Sequence, residues 1–443
     1  MRIIADLQLH SKYSRAVSQK MILPEIGKWA MIKRIDLMAT GDWTHPLWYR
    51  EIINNLVEKS PGLFSLKEKI EATDGVSQGV NQPMFLLSGE VSSIYSQGGK
   101  QRRIHNLIFA PSFETVDKIN KALTRRGCNL MSDGRPIIGL TSINIAELVF
   151  SIDDKCLIIP AHAYTPWFSL FGSKSGFDSI EECFGEFDKN IYAVETGLSS
   201  NPAMNWRIAD LDNRTIISCS DAHSGPKLGR EATVFELQQL SYPAIREAII
   251  GKSKENKIAF TIEFYPEEGK YHYTGHRLCN VRQTPQETLE KGEICPVCKK
   301  PLTVGVMHRV DKLASRSVED LKLEKKGMYI TSKTFTKRAP YVMIVPFMEI
   351  VAESIGSPVT SPKVMAEYLS LTASLGGEFT LLLKTPIEKI QQAAGERIAD
   401  AVRRVRTGDI MIEPGYDGVF GVVKIWPDEQ KPKEEPKKQL GLF

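Results

Sequence analysis

The chain has 443 residues, 42% hydrophobic and 25% charged, with 7 Cys and a formal net charge of +4. That balance excludes a disordered or collagen-like chain, and no run reaches the ~18 apolar residues of a membrane span. Cys spread this thinly excludes a secreted disulfide scaffold, and Met1–Asp6 lacks a signal-peptide pattern, so a cytoplasmic, nucleoid-associated placement is expected.

Residues 1–265 alternate short apolar runs with helical patterns. The runs Arg2-Ile3-Ile4-Ala5, Asp36-Leu37-Met38-Ala39, Phe85-Leu86-Leu87, His105 to Phe109, Cys156 to Ile159, Tyr192-Ala193-Val194 and Thr215 to Ser218 are too apolar to alternate. They predict strands buried on both faces of a parallel sheet, in a barrel-like α/β domain. In such folds chemistry gathers where strands end and loops begin. Polar residues do follow these runs: Gln8 and His10 after the first, Asp42 and His45 after the second, Glu90 after the third. His105 opens the next run, His162 and Glu195 close the two after it, and Asp221 and His223 follow the last. Imidazoles and carboxylates in one place suit divalent zinc, manganese or iron.

A second unit, 266–310, carries His276-x2-Cys279-x15-Cys295-x2-Cys298. Each two-residue gap lets a tight turn aim two side chains at one tetrahedral ion, so a structural Zn2+ site is expected, with His272 as the alternative to His276. A third unit, 311–426, is expected to be mainly helical and basic. Residues 1–270 hold 31 Lys+Arg against 32 Asp+Glu, a net −1, whereas 271–443 hold 26 against 21, a net +5. Within 299–338 eleven bases face four acids, the composition of a polyanion-binding face or of a merely solvated one. Ser361-Pro362 and Thr385-Pro386 read as helix N-caps, and Gly408 as a helix stop after one apolar stripe from Ile387 to Val405. Residues 427–443 read as a Pro- and Lys-rich linker ending in Gln439-Leu440-Gly441-Leu442-Phe443. Those last five residues resemble the bacterial sliding-clamp-binding pentapeptide, with Gln439, Leu440, Leu442 and Phe443 as its anchors.

The order of polar residues in 1–230 resembles the polymerase and histidinol phosphatase (PHP) superfamily. That resemblance implies a distorted (β/α)7 barrel and a metal-dependent phosphoesterase. It implies Gln8, His10, Asp42, His45, Glu90, His105, His162, Asp221 and His223 as metal ligands, Gln8 at a weaker position, with Glu90 bridging and with His10, Glu90 and Asp221 at the heart of catalysis. Gln8 stands where the superfamily usually has His, and Asp42 and His45 are spaced more widely than its adjacent Asp-His pair.

Further likeness extends over almost the whole chain. Asp6 to Ser14, Gly41 to Pro46, Pro160-Ala161-His162, Glu195 to Ser199, Ser220 to His223, Tyr271 to Cys298 and Glu413 to Gly418 resemble the endonuclease Q family. This implies a DNA repair endonuclease that uses Zn2+, Mn2+ or Mg2+ to nick 5′ to uracil, hypoxanthine, xanthine and abasic sites, with damaged DNA and the sliding clamp as partners. Reading an altered base usually requires extruding it into a pocket. The aromatic and then glycine-rich stretch after His162 offers Tyr164, Trp167, Phe168 and Ser173 for that pocket, or else simply packs on the barrel rim. Two rival functions are a small-molecule phosphatase of the histidinol-phosphate class and a non-catalytic, clamp-tethered DNA-binding adaptor.

Overall fold

The computed structural model describes residues 1–71, 75–76 and 79–427. The clamp-like anchors Gln439, Leu440, Leu442 and Phe443 lie outside the described residues, as does the linker from residue 428 onward.

Seven strands frame the first domain: β1 (Arg2–Asp6), β2 (Leu37–Ala39), β3 (Met84–Gln97), β4 (Lys100–Ala110), β5 (Leu157–Pro160), β6 (Ala193–Glu195) and β7 (Thr215–Ile217). Each overlaps one of the apolar runs, and side chains alternate between two hydrophobic clusters as a strand's two-residue period requires. Ile3, Leu37, Leu86, Leu107, Ile159, Ala193 and Ile217, one from each strand, share an inner cluster. Met38, Phe85, Ile108, Ile158, Val194 and Ile216 face the outer one, with helices such as Leu23–Lys33, while the helix Tyr242–Ile250 packs on the inner one. Seven strands feeding a single inner core means that the sheet curls round it.

The pairing departs from an all-parallel sheet. β1, β2 and β3 run parallel, as do β6 and β7, but β4 pairs antiparallel with both β3 and β5. The cause is local: Gln97 faces Lys100 across Gly98-Gly99, whose φ values of 61° and 71° make the two-residue turn of a hairpin. Around the mouth, Ala163 N donates to Glu195 O at 3.0 Å and His10 N to Ala222 O at 3.0 Å, tying the ends of β5 to β6 and of β1 to the segment after β7. The segments that carry the polar residues are thereby drawn to one rim.

Beyond this ring the sheet continues through Ala232–Glu236 and Lys257–Glu263 to Tyr341–Met343 and the hairpin Leu323–Lys326/Tyr329–Ser332. The first part of the expected helical unit 311–426 therefore belongs to the sheet. Hydrophobic alternation in these strands is too short and too interrupted by Lys to separate them from helix by period alone. The helices that follow are Phe347–Ile355, Pro362–Leu375, Glu378–Leu383 and Ile387–Thr407.

Ser361 caps its helix as expected, accepting from Val364 N at 3.3 Å. Thr385 does not: its hydroxyl donates to Thr380 O at 3.1 Å and Pro386 takes the cap position. Nor is Ile387–Thr407 one straight stripe, because Gly395 (φ 81°, ψ 170°) breaks it into two helices. The helical layer docks on the ring through a buried ion pair, Lys33 Nζ to Glu378 Oε2 at 2.7 Å. Tyr368 OH donates to the same carboxylate at 2.5 Å, and Phe347 N to its other oxygen at 3.0 Å.

Candidate metal centre

Polar side chains converge at the mouth of the ring: His10, His162, Asp221 and His223 from just beyond strands, but Glu90 and His105 from within β3 and β4, whose strands run on past the apolar runs that were expected to end or begin there. His10, Asp221 and His223 place one ligand atom each within 4.8 Å of one another, and Glu90, His105 and His162 form a second such group. Glu90 joins the two. Its Oε1 stands 2.6 Å from His105 Nδ1 and 3.7 Å from His162 Nε2, while its Oε2 stands 3.3 Å from His10 Nε2. A carboxylate whose two oxygens face two donor sets is the geometry of a bridging ligand. Asp221 Oδ1 lies 3.2 Å from His10 Nε2 and is buried without an aligned hydrogen bond. Gln8 donates to Glu90 Oε2 at 2.8 Å and leaves its own Oε1 buried and unpartnered. Orphaned acceptors of this kind are costly unless a cation or a donor meets them, so the donor set fits divalent metals.

Each imidazole is oriented from behind. Asp42 Oδ1 stands 2.9 Å from His10 Nδ1, opposite the nitrogen that faces the carboxylates. Ser92 Oγ holds His105 Nε2 at 3.0 Å, and Thr165 Oγ1 holds His162 Nδ1 at 3.2 Å. Fixing one ring nitrogen sets which other nitrogen is presented, as in known metal sites. Asp42 itself is fully engaged: its Oδ2 accepts from Ser11 N at 2.6 Å, Ser11 Oγ at 2.7 Å and Ser14 Oγ at 2.8 Å. It is thus placed as the orienter of His10, outside both groups. His45 also lies outside them, stacked on Tyr13 at 4.5 Å with its Nδ1 buried and unpartnered. The pair Asp42 and His45 was expected among the ligands; what the chain brings together is Glu90, His10, His105, His162, Asp221 and His223.

The backbone at the site is strained where these side chains turn inward. Asp42 (φ 48°), His162 (φ 33°) and Asp221 (φ 47°) all occupy the left-handed region, a cost borne at functional sites more often than elsewhere. Gly197 (φ 63°) is required there, since a Cβ would collide with His162 Cα and Cβ.

Electrostatics separate the groups. Burial works against the Glu90 carboxylate, but the Arg135 guanidinium and His105 hold it well below the usual range. Burial likewise opposes a charged His10, yet Asp42, with Asp221 and Glu90, holds it well above the ordinary imidazole value. His105 is pushed down to about 4 by burial, so it is a neutral donor at physiological pH. Arg135 was missed in the sequence. Its Nη1 lies 3.3 Å from Glu90 Oε1 and 3.4 Å from His10 Nε2, whereas Arg230 reaches only the backbone carbonyls of Ser220 and Asp221. It sits in a loop, Asp133-Gly134-Arg135-Pro136, with no spacing that distinguishes it from any surface arginine.

Residues 346–409 match the family described as the MJ0043 C-terminal domain. The uncharacterized protein MJ0043 of Methanocaldococcus jannaschii is 28% identical over 275 residues, 60% of this chain and 32% of that protein, so the chain spans about a third of its length. The uncharacterized protein YqxK of Bacillus subtilis is 26% identical over 366 residues, 80% of this chain and 85% of that one. Among solved structures, the lesion-specific endonuclease PfuEndoQ from Pyrococcus furiosus superposes with a TM-score of 0.79 at 30% identity, covering 96% of this chain and 95% of its own. An endonuclease Q bound to a 27-mer duplex substrate, with an abasic lesion at the active site, superposes with a TM-score of 0.80 at 32% identity, covering 97% and 98%. The chain belongs to the endonuclease Q family.

Two further groups expected from the sequence take shape in this endonuclease Q fold. His276, Cys279, Cys295 and Cys298 bring their ligand atoms within 4.8 Å of one another, with His276 Nδ1 3.3 Å from Cys298 Sγ. Three thiols and an imidazole at that spacing fit a closed tetrahedral zinc site. Burial opposes the Cys295 thiolate, but the amides of Cys298 and Val297 bring it down to about 6. His272 is not the fourth donor: it is buried beside Tyr273, 5.3 Å between ring centroids, outside the four-residue group.

The loop after His162 divides. Trp167 and Tyr271, 5.6 Å apart, line an open cleft of about 490 Å³, and Phe168 packs on His105 at 4.8 Å. Tyr164, expected at the pocket, is instead fully buried and stacked on Phe171 at 5.4 Å, so its ring is not offered to a ligand. Ser173 Oγ donates to Val304 O at 3.2 Å and links this loop to the segment after the Cys cluster.

Proposed function

We propose that the chain is a metal-dependent DNA repair endonuclease that hydrolyses the phosphodiester 5′ to deaminated bases and abasic sites, on a PHP-type barrel. The observation that carries this reading is the Glu90-joined pair of donor groups at the mouth of the ring, in a chain of the endonuclease Q family. The curled seven-strand sheet supports the PHP assignment, and the mixed pairing gives it its distortion. His10, Asp221 and His223 on one side and Glu90, His105 and His162 on the other would hold divalent cations, which would supply charge neutralisation and a lowered pKa for water at the phosphate.

The chain's own residues then do the positioning. Asp42, Ser92 and Thr165 fix the imidazoles, Arg135 offers a permanent cation to a phosphate oxygen, and Trp167 and Phe168 present aromatic surface to an extruded nucleoside. The Cys3His group would hold a structural Zn2+ and stiffen the module that carries Tyr271.

The test is incubation of a labelled duplex carrying one uracil, hypoxanthine or abasic site with Mg2+ or Mn2+. Nicking beside the lesion supports the reading; hydrolysis of p-nitrophenyl phosphate with every duplex intact would favour the phosphatase instead. Residues 439–443 are proposed to tether the enzyme to a sliding clamp. Their deletion should leave nicking of short oligonucleotides unchanged and remove clamp retention in gel filtration; equal retention rejects the tether.

A further inference from the structure

Leu278, 84% exposed, is the most exposed large apolar side chain among the described residues. Single exposed leucines are ordinary on protein surfaces. This one differs in how it is held. It sits at the centre of the tight turn Arg277–Cys279, between two of the four clustered donors, His276 and Cys279. Arg277 N donates to Asp417 Oδ2 at 2.7 Å, and the next residue, Asn280, is left-handed (φ 49°) with its side chain accepting from Tyr416 OH at 2.9 Å. The backbone beneath Leu278 is therefore pinned on both sides while its side chain stands largely in solvent.

Its surroundings say what it meets. Leu278 lines the 490 Å³ cleft together with Trp167, Tyr271, Arg277 and Lys300. Trp167, on the cleft wall, is followed in the chain by Phe168, whose ring lies on His105 at 4.8 Å, so the loop after His162 borders both the cleft and the donor groups. Phe420, on the loop packed against this turn, is 66% exposed with Lys270 Nζ 4.4 Å from its ring centroid. Rigid apolar tips with cations beside them and aromatic walls behind match a duplex opened at one base step: phosphates outside, π-faces within. A protein partner would call for a wider apolar patch without the cationic rim.

We propose that Leu278 is a wedge that enters the base stack beside the lesion and fills the space left by the extruded nucleotide, with Arg277 and Lys300 on the flanking phosphates. This rests on the endonuclease reading above. A rigid wedge offsets part of the few kcal/mol that unstacking costs, so its removal should matter for paired substrates and much less for strands that have no stack to open.

The test compares wild type, Leu278→Ala and Leu278→Met on one uracil oligonucleotide, single-stranded and in duplex. Leu278→Ala should lower the duplex-to-single-strand rate ratio by roughly tenfold, and Leu278→Met should restore it. With 2-aminopurine next to an abasic site, in an Asp221→Ala background, the fluorescence rise on binding should be lost with Leu278→Ala. Unchanged melting of the Leu278→Ala protein controls for folding. An unaltered rate ratio and fluorescence rise overturn the wedge alone; a wild-type protein that nicks neither substrate overturns the endonuclease reading and the wedge with it.

Discussion

Asp221 enters the group of His10 and His223 from a left-handed backbone, and His10 Nε2 stands within 3.2 Å of it and 3.3 Å of Glu90 Oε2. Removing its carboxylate takes a negative charge from the metal site and leaves the basic surface alone. Asp221→Ala should lower nicking by roughly 10³-fold or more, while the Kd for abasic duplex, dominated by phosphate contacts, changes little in fluorescence anisotropy. Asp42 acts through His10, so Asp42→Asn should weaken activation by Mn2+ by roughly 10–100-fold and be rescued at high Mn2+. Loss of activity that no metal concentration recovers would place Asp42 among the ligands instead.

His272 gives a pH test away from the metals. Burial pushes it from 6.5 down to about 4, so folding favours the neutral ring. A depressed folded value means that this stability is present above pH 6.5 and is lost as pH falls through about 4, on the order of 3 kcal/mol in all. Urea midpoints of wild type minus His272→Phe should therefore decline between pH 6.5 and 4 and stay level above it. The residue scale is also where sequence reading was most uneven. His10, His162, Asp221 and His223 were legible because strand ends are where barrels keep their chemistry, whereas Glu90 and His105 stand inside strands that run on past their apolar runs. The role of Asp42 was not, since ligand and orienter differ only in which oxygen faces what, and Arg135 has no periodic or paired signal.

At the scale of elements, the buried pair Lys33–Glu378 joins the helix Leu23–Lys33 to the helix Glu378–Leu383. Breaking it from one side leaves an uncompensated buried charge, which costs about 3–5 kcal/mol. Lys33→Met should lower stability by that order in urea denaturation, and the double variant Lys33→Met/Glu378→Leu should recover much of it. The Cys3His turn is the other decisive element. Cys295→Ser should reduce bound zinc, measured by atomic emission, and release amide protection in 276–301 while the ring strands keep theirs; full zinc content would remove the zinc assignment.

Strands β1 to β7 were readable as apolar runs because both faces of each are covered. The reversal of β4 depended on Gly98-Gly99, a turn signal overlooked beside the stronger apolar pattern. The kink at Gly395 was hidden for a related reason: an apolar period survives a break when the two helices pack on the same core.

For the whole molecule, the order of units along the chain was visible, but their borders in space were not. The hairpin Leu323–Ser332 and the strand Tyr341–Met343 return to the large sheet after the Cys cluster, and the turn 414–421 comes back to pack on residues 267–280. Such long-range returns leave no local pattern. No helix among the described residues is long and apolar enough to cross a membrane. The fold therefore presents one rim on which the ring mouth, the loop after His162 and the Cys-cluster module meet, and the account stands on that rim holding metals against a DNA phosphate. The direct measurement is mapping of strand breaks in an end-labelled duplex with a single uracil, with and without Mn2+, for wild type and Glu90→Gln. The account predicts one break on the 5′ side of the uracil that needs the metal and disappears in Glu90→Gln. An intact strand with metal-loaded wild type, or the same break from Glu90→Gln, would contradict it.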